Sequence, residues 1–115
     1  MGERTGMVKI DIKPIGINVQ YQGRRFLSPI GKQFKTEATL KIRKVKVPEG
    51  KLLVKLEFGF SNSAQDIDGP VKSVLDILQK KLGFNDNRVY RIEVDKKIVK
   101  KGAEYFAYDI TPFTE

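Results

Sequence analysis

From Leu52 to Phe60 the chain reads LLVKLEFGF. Leu52, Val54, Leu56, Phe58 and Phe60 fall on one side of an extended backbone, and Lys55 and Glu57 on the other. That alternation predicts a strand with one buried face. Met7 to Lys13 (MVKIDIK) alternates in the same way and predicts an earlier strand, closed by Pro14 and Gly16. Ile15 to Arg25 has no period and reads as an irregular, partly basic loop. Val89 to Val99 and Glu104 to Ile110 predict two further strands, read as a hairpin joined by Lys100-Lys101-Gly102-Ala103.

Two segments carry the helical period instead. Ser28-Pro29 supplies an N-capping hydroxyl followed by proline at the first helical position. Ile30, Phe34, Ala38 and Ile42 then recur every fourth residue, predicting one buried stripe on a helix that ends near Val45. After the Pro48-Glu49-Gly50 turn and the Leu52–Phe60 strand, Pro70 opens a second helix. Its stripe is Val71, Val74, Leu75, Leu78 and Leu82, and Gly83 is its C-terminal cap. The order β-α-β-α-β-β predicts an α+β fold: a small mixed sheet of about four strands with two helices packed on it. With no repeat and no linker, residues 1–115 read as a single domain.

Composition narrows the chemistry. Hydrophobic residues make up 40% and charged residues 31%, the balance of a globular chain rather than a disordered one. No apolar run reaches the length of a membrane span, and the N-terminus lacks the apolar core of a signal peptide, so no membrane partner is expected. There is no cysteine, which fits a cytoplasmic protein and removes disulfides and thiolate ligands. There is also no histidine, which excludes Ser-His-Asp triads, histidine nucleases and histidine zinc sites. Lys and Arg number 22 against 14 Asp and Glu, a net charge of +8 that favours a phosphate-rich partner. A lysine-rich solubilising surface would give the same charge.

The acidic residues decide what that charge is for. Asp66 and Asp68, two apart, project to one side of an extended segment ahead of the second helix. Asp86 follows that helix in Asn85-Asp86-Asn87, and Asp76 lies within it. If the chain doubles back, Asp66, Asp68 and Asp86 converge on a metal held by protein oxygens and water. Such a site suits magnesium or manganese. Lys72, one helical turn beyond Asp68, is placed to offset charge on a phosphoryl group. Each residue also has an ordinary structural role open to it: Asp68 as an N-cap, Asp86 as a turn residue, Asp76 as an ion pair with Lys72 or Lys80.

The spacing Asp66-x-Asp68-x-x-x-Lys72-x-x-x-Asp76-x-Leu78, followed by Asn85-Asp86-x-x-Val89 and Lys96, resembles the RusA-type Holliday junction resolvases. Asn18, the Tyr21 to Arg25 loop and Phe26-Leu27-Ser28-x-x-Gly31-Lys32-x-Phe34 resemble that family's opening strand, basic loop and first helix, so the likeness covers nearly the whole chain. Two positions depart from the pattern: Gly69 stands where the family usually has asparagine, and Asn85-Asp86 where it often has paired aspartates. The resemblance implies a homodimeric endonuclease that nicks four-way DNA junctions symmetrically with Mg2+ or Mn2+ and no organic cofactor. It makes Asp66, Asp68 and Asp86 the metal ligands and Lys72 the catalytic lysine. Arg24, Arg25, Lys32, Lys35, Arg43, Lys44 and Lys96 are then candidates for holding the DNA backbone, and Tyr21 or Phe26 for stacking at the crossover. Other readings of the same residues are a non-catalytic DNA-binding module, a basic assembly protein, and a nuclease of this fold acting on other branched DNA.

Overall fold

The computed structural model describes residues 7–16, 21–22 and 26–115. In chain order the elements are β1 (Val8–Ile10), β2 (Tyr21–Gln22), β3 (Phe26–Leu27), α1 (Pro29–Lys41), β4 (Leu52–Phe60), α2 (Val71–Leu82), a 3-10 turn over Asp86–Arg88, β5 (Val89–Ile98) and β6 (Tyr105–Pro112). Four strands form one mixed sheet in the order β1-β6-β4-β5, and both helices pack on the same face of it. The predicted α+β order is therefore the observed one. Among the described residues no helix is long and apolar enough to cross a membrane.

The elements form where local chemistry directs them. Ser28 Oγ accepts a hydrogen bond from the Gly31 N–H at 3.0 Å, capping α1 as its sequence predicts. Gly83 adopts φ 74°, the left-handed conformation that closes α2. The alternating face of β4 is buried throughout and meets Phe34, Ala38 and Ile42 of α1 and Val74, Ile77, Leu78 and Leu82 of α2. Two positions differ from the predicted stripes. Ile30, in the first turn of α1, is exposed, and Ile77 joins the buried face of α2. Helix α1 stops at Lys41, four residues before Val45, with Ile42 already extended as its cap.

The largest difference lies in the sheet. Val89–Ile98 and Tyr105–Pro112 do not pair as a hairpin, because β4 lies between them. It runs parallel to β5 and antiparallel to β6. Burial explains the order. Tyr105, Phe106, Ala107 and Tyr108 are all buried, as a strand flanked on both sides requires, whereas most of β5 is exposed, as an edge strand allows. Parallel pairing of β4 with β5 is possible because α2 makes the crossover between them. The basic loop before α1 also contains regular structure: β2 and β3 pair antiparallel, Tyr21 with Leu27 and Gln22 with Phe26.

Candidate functional site

Because β4 and β5 are parallel, α2 runs back along them and leaves a groove between its outer face and the free side of β5. The groove holds about 480 Å³ and is lined by Asp68, Val71, Lys72, Leu75, Asp76, Gln79, Asp86, Val89 and Ile92. Helical spacing accounts for the lining: positions 72, 75, 76 and 79 share one side of α2, with Leu75 at its border packing against the core. Ile92 stands on the helix side of β5, opposite Val54 of β4. Asp68, Lys72 and Asp86 thus line one groove, and Asp76 joins them.

Asp68 and Asp86 reach the groove by different routes. Asp66 and Asp68 lie in a turn in which the Gly69 N–H donates to the Asp66 carbonyl at 3.2 Å and the Val71 N–H to the Asp68 carbonyl at 3.1 Å. The N-cap position of α2 is Pro70, with no side-chain capping bond, so the Asp68 carboxylate is not used as a cap. Asp86 opens the 3-10 turn, where the Asn85 side chain accepts from the Asn87 N–H at 3.0 Å. Among the described residues no hydrogen bond or ion pair engages the carboxylates of Asp66, Asp68 or Asp86 or the ammonium of Lys72. At Gly69 a Cβ would stand 3.4 Å from the Asp66 carbonyl and from the Gly16 Cα, at contact distance, so sterics do not dictate a glycine there.

The oxygen-only donors suit a hard divalent cation. Asp68 precedes α2 and Asp86 follows it, and 12 helical residues span about 18 Å. Asp66 is outside the groove lining, and among the described residues no three acidic side chains gather closely enough to hold one ion.

The basic residues divide between structural and free roles. Arg24 and Arg25 lie outside the described residues, as do the side chains of Tyr21 and Phe26. Lys32, Arg43 and Lys44 are exposed. Lys35 of α1 neighbours Lys80 of α2, and the proximity of that second ammonium is the main cause that holds the Lys35 ammonium below its ordinary pKa. Burial and the charge of Lys80 act in the same direction, and Asp76 opposes them.

Lys96 has a defined internal role. Its ammonium donates to the carbonyls of Ser63 at 2.8 Å and Gln65 at 2.6 Å, pinning the loop that delivers Asp66 and Asp68. Arg88 does the same at the other end, donating through Nε to the Gly50 carbonyl at 2.9 Å and through a second nitrogen to that of Pro48. Sequence reasoning did not find this pin, since 38 residues separate Arg88 from Gly50. No family model matches the chain, and no curated protein matches it.

Proposed function

We propose that this protein is a metal-dependent endodeoxyribonuclease of the RusA type, acting on branched DNA as a homodimer. The observation that carries the reading is the groove: Asp68, Asp76, Asp86 and Lys72 line an open channel, and among the described residues no hydrogen bond or ion pair engages the side chains of Asp68, Asp86 or Lys72, on a chain of net charge +8. A basic protein that presents unneutralised acids in a groove has reason to bring a cation and a polyanion together there. Lys72 is the residue to offset charge on a phosphate in the groove. Lys35 and Lys80, with Lys32, Arg43 and Lys44, offer backbone contacts that position DNA without reading its sequence. Symmetric nicking of a four-way junction calls for two active sites about a two-fold axis, which a C2 dimer supplies. Magnesium or manganese belongs to the proposal through the oxygen-only donor set.

The exposed Lys32, Arg43 and Lys44 would equally serve a second reading, a DNA-binding module without catalysis. One experiment decides between them: a synthetic four-way junction and its matched linear duplex are incubated with Mg2+, Mn2+ or EDTA, with wild type beside Asp68→Asn. The nuclease reading expects paired symmetric nicks in the junction, dependent on metal and reduced by about a hundredfold or more in the variant. The Asp68 carboxylate makes no structural contact, so the variant keeps its fold. Junction binding with no nicking under any condition moves the protein to the binding class.

A further inference from the structure

At the N-terminal end of β5, on the sheet face away from the helices, a small aromatic and cationic cluster stands outside the groove. A bulge creates it. Leu52 pairs with Val89 while Leu53 pairs with Arg91, so Tyr90 is the extra residue and leaves the regular alternation. The Tyr90 ring stacks on Phe113, with centroids 5.9 Å apart and planes 19° from parallel. Phe113 is held there by its N–H, which donates to the Lys51 carbonyl at 2.8 Å. The Lys51 ammonium lies 4.9 Å over the Tyr90 ring, and the Arg91 guanidinium 5.5 Å over that of Phe113. Beside the stack is a shallow recess of about 280 Å³, lined by Gly50, Lys51, Asn87, Arg88 and Tyr90.

Two features distinguish this corner from ordinary packing. Tyr90 is 55% exposed although it is stacked, so much of a large aromatic surface faces water between two cations. Moreover, the Lys51 ammonium that covers the ring already holds an anion, since its Nζ donates to Glu115 Oε1 at 3.2 Å with both side chains exposed. An exposed aromatic ring with an anion-holding cation against it matches a nucleobase with its phosphate.

We infer that this corner binds an unpaired nucleotide of single-stranded DNA. The base stacks on Tyr90 over the face that Lys51 now covers, and the phosphate takes the Lys51 ammonium from Glu115. Arg91 supplies a second cation for the next phosphate along the strand. Asp86 lies only four residues before Tyr90, so a strand leaving this corner rounds the start of β5 directly into the groove. The site gives the DNA partner proposed above a second contact and rests on that reading for its partner, though not on the groove's chemistry.

The test is fluorescence anisotropy with a fluorescein-labelled oligothymidylate in EDTA at low salt, with thermal melting of each variant in parallel. Tyr90→Ala is expected to weaken binding about tenfold, while Tyr90→Phe keeps it within about twofold because the ring remains. Glu115→Gln is expected to tighten binding about two- to fivefold, since it removes the internal competitor for Lys51. A stack that serves only stability would lower the melting temperature of Tyr90→Ala and leave both affinities unchanged, and that result overturns the proposal. If Tyr90→Ala does not fold, Glu115→Gln, a change at an exposed side chain, decides alone. The junction assay keeps the two readings apart. Affinity shifts without nicking retain this site and remove the nuclease, and nicking without affinity shifts does the reverse.

Discussion

On β4, Phe58 points into the helix layer and is fully buried, while its neighbours Glu57 and Gly59 point to the other face of the sheet. On the helix side stability comes from area: Phe58, Leu56 and Val54 meet both helices, and each buried side chain contributes about 1.5–3 kcal/mol. On the open side it comes from a few specific contacts. The Tyr105 ring lies over Gly59, its cross-strand partner, and the Tyr105 hydroxyl donates to Glu57 Oε2 at 2.5 Å. Lys97 Nζ completes the set at 3.6 Å from Glu57 Oε1. The two faces meet at β5, the edge strand, where neither is closed. The carboxylate groove lies on one side of that strand and the Tyr90 stack on the other. The groups proposed to act on DNA thus sit where the fold needs them least.

Two substitutions in adjacent residues measure that contrast. Phe58→Ala is expected to cost about 3–5 kcal/mol, through lost burial and the cavity left behind. That is a large share of the roughly 5–15 kcal/mol that holds a domain folded. Gly59→Ala adds rather than removes an atom: its Cβ would stand 2.3 Å from Tyr105 Cε1, so the ring must move. The expected cost is about 1–3 kcal/mol of overpacking. Urea titrations of both variants check the order. A Gly59→Ala protein as stable as wild type would mean that the open face yields freely, and the contrast between the faces would fall.

What the sequence makes legible follows the range of the interactions involved. Ser28-Pro29, Gly83 and the alternation of β4 each act within a few residues, and each is found where the pattern puts it. The pairing of β5 is decided by the whole sheet. VYRIEVDKKI alternates equally well as a hairpin arm or as an edge strand, and only the burial of Tyr105–Tyr108 assigns the central place to β6. In the same way, the motif Asp66, Asp68, Lys72 and Asp86 names residues of which three do line one groove. It says nothing of α2 holding Asp68 and Asp86 at its two ends. The stack of Tyr90 on Phe113 joins residues 23 apart through a bulge, and no local period announces a bulge. The Lys96 and Arg88 pins were hidden for the same reason, as both act on backbone carbonyls more than 30 residues away.

The smallest effect is the most specific to the open face, because it depends on one proton. Burial is the main cause that pushes the Tyr105 phenol up to about 12, and the hydrogen bond to Glu57 and the charge of that carboxylate act in the same direction. Between the ordinary value of 10.0 and that raised value, the unfolded chain has lost the proton and the folded chain still holds it. Unfolding then releases a proton, so stability falls as pH rises through this window and is at its full value below it. Burial also raises the pKa of Tyr108, which adds a slope of the same sign on the helix side. Tyr105→Phe should therefore flatten the alkaline decline without abolishing it. Near neutral pH the variant gives up about 1 kcal/mol for the lost hydrogen bond, and this deficit should shrink as both proteins are taken from pH 9 to pH 11. Urea titrations across that range provide the measurement. A deficit that stays constant with pH would show that the Tyr105 proton is not held by Glu57, leaving the open face to the ring's packing on Gly59 alone.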